Sequence, residues 1–400
     1  MTAQDPSPVF APLDLPCGVT LKNRIVKAAM SDSLGDGAGN PTRGQMRLYE
    51  RWAMGGCAAA IIGEVQHDPR QAEKPGNLVL NAKGDADAFA ALARRGSVQG
   101  CQLWLQLGHA GAMAHPPISS PKGPSALDLP GLTCAALTPT DIAALPAAFA
   151  ATAARAQALG FAGVQIHAAH GFLLSQFLSP LFNRRSDAYG GDITNRMRLL
   201  LEVIDAVRGA VGPRFPVVVK LNCTDQLQGG LQEEDALRVV AALDATSVDL
   251  IEFSGGTYFP GAKSASDSAG SGPYFVAFSQ RARLKTTKPL MVTGGFKTRT
   301  QVIDAIASGA TDLVGLARAL VLEPDLPNTW RTTDRPVSFP RFADPPAGGV
   351  TAWYTMRLTA LAEDRGTDTP ADLHLALRQY TDRDTRRVAL WNARFGPPCS

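Results

Sequence analysis

Two imidazoles, His167 and His170, stand three residues apart, directly after the apolar run Gly163-Val164-Gln165-Ile166 and before Gly171. A buried strand that ends abruptly in polar groups delivers them to its carboxyl end. Two N–H groups there can donate to one substrate oxygen and stabilise negative charge that builds up on it during a reaction. As metal ligands the pair would lack a convincing third partner, which a tetrahedral site needs. As mere core histidines, two imidazoles around one turn are hard to satisfy.

The elements that must position this pair repeat along the chain as a short apolar strand followed by a longer helical stretch. Strands are expected to end near Met30 and to span 58–63, 101–107, 163–167, 216–221, 249–253, 289–293 and 312–316. Helical patterns fill 42–54, 85–99, 140–159, 194–211, 233–245, 273–285 and 299–308. Eight alternating units predict an α/β fold, a parallel (β/α)₈ TIM barrel. Thr140-Asp141 is the expected cap of the helix that Gly160 closes. Two long Pro-, Gly- and Ser-rich loops, 108–138 and 255–272, follow strands and are expected to wall the substrate site. Gly35 to Gly39 lacks the full spacing of a dinucleotide fingerprint and reads as a plain loop.

After the seventh and eighth strands come Gly294-Gly295 and Gly315-Leu316-Ala317-Arg318. Glycines let backbone amides approach an anion closely, and an arginine adds a planar charged fork. Loops in these two places form the phosphate site of many barrels. Beyond about residue 323 the repeat stops. Residues 324–400 then form a linker and two amphipathic helical stretches, roughly 350–363 and 371–393, expected to pack on the barrel (1–323) or on a second subunit. A homo-oligomer is therefore left open.

The stretch from 161 to 191 resembles the old yellow enzyme family of FMN-dependent ene-reductases. It carries His167-x-x-His170-Gly171 and then Ser179-Pro180, Asn183, Arg185, Asp187 and Tyr189-Gly190-Gly191. Phe172 stands where the family usually has its proton-donating tyrosine. The resemblance implies FMN as cofactor, NADH or NADPH as reductant, and a small-molecule substrate with an activated C=C bond whose oxygen His167 and His170 bind. By the same resemblance Ala29, Met30 and Ser31 lie beside the flavin, and Gln106 bonds its pyrimidine edge, which needs both donor and acceptor. Lys220, ending the run Val217-Val218-Val219, would sit near the flavin's N1 and O2. The glycines and Arg318 would take the single phosphate. Read without the resemblance, Gln106 is an ordinary strand-end polar residue and Lys220 a surface lysine.

With Phe172 in that place, three outcomes stand beside one another: another group or solvent supplies the proton, with Tyr189 and Tyr258 as candidates by loop position; the double bond shifts or forms in isomerase or desaturase chemistry; or some other acceptor is reduced. A flavin-binding protein with little turnover is a further alternative, against which the histidine pair counts. Glu64 and His115 read either as ligand contacts or as surface groups.

Of the 400 residues 45% are hydrophobic and 19% charged, ordinary for a globular protein, and the net charge of +3 gives no reason to invoke nucleic acid or a membrane surface. Arg383, Arg386 and Arg387 read as a solvated helix face. Six cysteines without C-x-x-C spacing argue against a disulfide framework, zinc or an iron–sulfur cluster. With no signal-peptide pattern and no long apolar run, a cytoplasmic protein is expected.

Overall fold

The computed structural model describes residues 7–259, 272–366 and 372–397. The eight strands are β1 (Ile25–Met30), β2 (Ala59–Gln66), β3 (Gln102–Leu107), β4 (Gly163–Ala168), β5 (Val217–Asn222), β6 (Leu250–Ser254), β7 (Leu290–Thr293) and β8 (Leu313–Leu316). Each pairs in parallel with its neighbours in chain order, and β8 closes on β1 through Val314 beside Ile25. The outer layer contains α1 (Arg43–Met54), α2 (Ala86–Gly96), α3 (Pro139–Ala158), α4 (Arg198–Val211), α5 (Glu233–Asp244), α6 (Val276–Arg283) and α7 (Arg299–Ala307). After β8 come α8 (Arg318–Leu322), α9 (Leu326–Thr332), α10 (Gly349–Ala362) and α11 (Leu373–Phe395).

Alternation along each strand sorts the side chains. Val217, Val219, Ile251, Phe253, Leu290 and Val292 pack with the helices, while Val26, Ile61, Trp104, Val218, Leu250, Met291 and Leu313 form a separate cluster inside the barrel. Leu15 and Leu21, from the short hairpin at residues 13–21, join this inner cluster and plug its amino end. Two residues further along, the inward positions become polar or small: Ala28, Gln106, Lys220, Glu252, Thr293 and Gly315. The apolar barrel thus ends in a polar floor.

Several local details differ from expectation. The cap of α3 is Thr138, whose hydroxyl accepts from the Asp141 amide while the Asp141 carboxylate accepts from the Thr138 amide. Thr140 instead lies inside the helix, because Pro139 fits the first helical turn. The loop at 108–138 contains a small sheet of Lys122–Gly123, Leu127–Leu129 and Leu132–Ala136, held by a cluster of Leu127, Cys134, Phe182 and Phe259. Its pattern is too short to read locally. Of the expected loop 255–272, residues 260–271 lie outside the described residues, as does residue 371, the first of the last expected helix.

α11 lies across loops at the carboxyl ends of β1, β2 and β3. Trp391, fully buried, packs with Ala72, Val79 and Ile118. Arg387 donates to the Ser33 carbonyl at 2.6 Å, Lys74 bonds the Tyr380 hydroxyl, and Asn392 donates to the Pro117 carbonyl at 3.0 Å. This corrects the reading of the basic cluster as a solvated face. Arg387 and Arg383 are 15% and 11% exposed, with Arg383 donating to Thr359 Oγ1, and only Arg386 faces outward. The face turned to the barrel loops carries arginine because those loops present carbonyl oxygens.

Cys17, Cys57, Cys101, Cys134 and Cys223 are free thiols, and among the described residues there is no cluster of metal ligands and no helix long and apolar enough to cross a membrane.

Candidate active site

His167 is the penultimate position of a strand whose inward residues are Gly163, Gln165 and His167, so it stands at the polar end of the barrel. In register it stands beside Lys220 of β5. His170 then sits at φ 62°, a left-handed conformation that costs a side chain some free energy and persists only where neighbours enforce it. They do so here. Its amide donates to Asn222 Oδ1 at 3.0 Å, and its carbonyl accepts from the Tyr258 amide at 3.1 Å. Asn222 is itself fixed by donating to Asp225 Oδ1 and the Gly256 carbonyl at 3.0 and 2.9 Å. Buried Gln176 donates to the carbonyls of Gly171 and Ala110 and completes the turn.

The two rings face each other, His167 Nε2 lying 3.2 Å from His170 Nδ1. His170 Nε2 is 2.8 Å from Ser254 Oγ, and His167 Nδ1 is 3.0 Å from Glu64 Oε1, too bent for a hydrogen bond. Burial, with the charges of Lys220 and His167 adding to it, holds His170 well below the ordinary histidine range, so it is neutral at physiological pH. The imidazoles lie against one another, His167 Nε2 facing His170 Nδ1, and do not both point at one oxygen position. Phe172 is 2% exposed, and its ring lies 4.8 Å from that of His167.

Glu64 comes to this place through an irregularity. The pairing of β1 with β2 shifts register between Lys27 and Met30, Glu64 takes φ 60°, and a Cβ on Gly63 would meet the Met30 carbonyl oxygen at 2.3 Å. Such a bulge re-aims side chains at a strand end. Glu64 is therefore a buried site group, 3% exposed, and not a surface residue. His115 is half-buried at the α11 side, its pKa lowered by burial and by Lys74.

The floor is one hydrogen-bonded chain. Gln106 Nε2 donates to Gln165 Oε1 (2.8 Å), Gln165 Nε2 donates to Glu252 Oε2 (2.5 Å), and Glu252 Oε1 receives both Thr293 Oγ1 (2.6 Å) and Lys220 Nζ (2.9 Å). Lys220 and Glu252 are 1% and 0% exposed. Lys220 is thus an internal cation with a carboxylate partner, not a surface lysine. Gln165, Glu252 and Ser254 were passed over in the sequence, although Glu252 lies two residues beyond inward-facing Leu250, the spacing that also relates Lys220 to Val218.

At the strand ends that could hold a phosphate, Gly294 and Gly295 have φ of 122° and 83°, and a Cβ on Gly295 would meet the Gly272 carbonyl oxygen at 1.9 Å. Their amides donate to no protein acceptor among the described residues. Arg318 stacks on Tyr354 at 5.4 Å and pairs with no carboxylate among the described residues. Across the barrel mouth, the buried Ser31 hydroxyl also lacks a partner among the described residues. Unsatisfied donors, a free guanidinium and an orphaned hydroxyl around one polar floor fit a bound group with a phosphate and a heteroatom-rich ring, as FMN has.

The remaining motif residues are structural. Asn183 Nδ2 donates to the carbonyls of Phe177 and Tyr189, Arg185 donates to those of Pro124 and Leu137, and a Cβ on Gly190 would come within 2.0 Å of the Arg185 carbonyl oxygen. Together they clamp the chain after β4 to the 108–138 segment. Tyr189 bonds Glu202 and packs on Phe177.

Comparison with known proteins agrees with this geometry. A family profile described as NADH:flavin oxidoreductase / NADH oxidase matches residues 8–334. NADH-dependent flavin oxidoreductase iliE of Hypocrea jecorina (strain QM6a) is 35% identical over 351 residues, covering 80% of this chain and 87% of that protein. NADPH dehydrogenase of Bacillus licheniformis is 34% identical over 327 residues, covering 80% and 93%. Among solved structures, morphinone reductase superposes with a TM-score of 0.72 at 25% identity, covering 84% of this chain and 92% of that one.

Proposed function

Because the chain belongs to the NADH:flavin oxidoreductase / NADH oxidase family, we propose that it is an FMN-dependent enzyme that uses NADH or NADPH to reduce activated C=C bonds in small molecules such as enones and nitroalkenes. The observation that supports this reading best is the histidine pair held at the polar floor by hydrogen bonds to Asn222 and Ser254, with the Glu64 carboxylate 3.0 Å from His167. Flavin would supply hydride, drawn from the nicotinamide, to the β carbon of the substrate.

The chain's own residues would do the rest. Gly294, Gly295, Gly315 and Arg318 would hold the phosphate, while Ala29, Met30, Ser31 and Gln106 would line the ring system. Lys220 would place positive charge beneath it, moderated by Glu252. A substrate carbonyl or nitro oxygen would take the place of the contact between His167 Nε2 and His170 Nδ1. It would there receive donors beside the buried His167, where they are worth more than in water.

Anaerobic reduction of the yellow holoprotein by NADH and by NADPH, followed by reoxidation with cyclohexenone or a nitroalkene, tests the reading. Saturated product is expected. Flavin reduction followed by a product with a shifted double bond would sink it in favour of isomerisation.

A further inference from the structure

Reduction of a C=C bond needs a proton at the α carbon as well as a hydride at the β carbon, and few groups at the pair can give one. Phe172 has no ionisable hydrogen. His170 is neutral and its ring nitrogens face His167 and Ser254. Tyr189 is committed to Glu202. Among the described residues Tyr258, which follows β6, remains: its ring centroid lies 5.7 Å from that of His170 and 6.1 Å from that of Phe172. Its backbone N–H donates to the His170 carbonyl at 3.1 Å, which ties this part of the loop to the histidine turn.

Resting on the ene-reduction reading above, we propose that Tyr258 is the catalytic acid of this enzyme, delivering the hydroxyl proton to the α carbon of a substrate whose oxygen is bound by His167 and His170. As hydride adds to the β carbon, the π electrons move toward the bound oxygen. Their return forms the α C–H bond and breaks the Tyr258 O–H bond. The phenolate then takes a proton from water, which reaches it because Tyr258 is 55% exposed. A phenol hydroxyl carries its proton at neutral pH, so the acid is loaded before hydride arrives.

The test starts from holoprotein reduced with dithionite and mixed with 2-methylcyclohexenone in D₂O. Wild type is expected to place deuterium on one face of the α carbon. Tyr258→Phe is expected to reoxidise about 10²- to 10⁴-fold more slowly and to lose that facial preference. Adding Phe172→Tyr to Tyr258→Phe places a hydroxyl on the ring that lies beside His167 and is expected to restore part of the rate. Wild-type rate and facial selectivity in Tyr258→Phe would overturn the assignment. Absence of saturated product from wild type would overturn the parent reading, and the assignment with it.

Discussion

Gly108 and Glu64 meet at the seam between β2 and β3: a Cβ on Gly108 would lie 2.7 Å from Glu64 Oε2. The clash is with the far end of a flexible side chain, so Gly108→Ala should leave the fold intact and push the carboxylate off His167. Reoxidation by an enone is expected to fall by about 10²-fold, the usual scale for a small misplacement in a site, while the melting temperature holds. An unchanged rate would remove Glu64 from the site's machinery.

Lys220 and Glu252 neutralise each other with almost no contact with water. Lys220→Met strands a buried carboxylate and should cost about 3–5 kcal/mol, read as a lower denaturant midpoint. Lys220→Met/Glu252→Gln should recover much of that loss, since two neutral groups replace a broken pair. If the single variant is as stable as wild type, the pair contributes nothing.

Lys27 presents the opposite case. It is fully buried, donates to the Ala28 carbonyl and lies over the Trp52 ring at 4.4 Å. Burial, opposed by Asp32, lowers its pKa from 10.5 to about 8. Between those values the unfolded chain binds a proton that the folded chain does not, so stability rises with pH across this window. Charging the lysine in the core therefore costs about 3 kcal/mol below pH 8. Lys27→Met should raise the urea midpoint at pH 7 and flatten its rise from pH 8 to 10.5. A lower midpoint at pH 7 would show that Asp32 depends on Lys27.

On the acid side, burial lowers the pKa of His109 from 6.5 to about 4, with its Nδ1 accepting the Gly111 amide. The unfolded chain takes up the proton first as pH falls, so stability is complete above pH 6.5 and lost on the way to 4. His109→Asn keeps an acceptor for Gly111 and should flatten this acid limb, with the part due to His170 left in place. Midpoints measured from pH 4 to 7 decide it.

Trp391→Ala would open a cavity where α11 meets Ala72, Val79 and Ile118 and should cost about 3–5 kcal/mol. Because those residues lie in loops after β2 and β3, the Michaelis constant for substrate should rise as well. Loss of stability with unchanged kinetics would mean that α11 does not shape the site.

The barrel was legible because short apolar strands and longer helical stretches repeat eight times along the chain; the alternation that puts Lys220 with Val218 and Glu252 with Leu250 on one face shows only once the strands are placed. His167 stood out because charge-bearing chemistry interrupts an apolar run. What escaped the sequence depends on distant partners. Glu64 reads as any strand-end glutamate until the bulge against Met30 turns it toward His167. Arg387 reads as solvent-facing until a carbonyl 354 positions earlier is found beneath it. Local periodicity carries no information about either encounter.

α11 also sets an order of events in the cell. Ser33 and Ala72 leave the ribosome long before Arg387 and Trp391 are made, so the loops after β1 and β2 spend most of translation without their final covering. The barrel can close and its histidine turn can form in that interval. The covering that α11 gives those loops comes only after the barrel's chain is complete, so domain-by-domain folding would form the scaffold first.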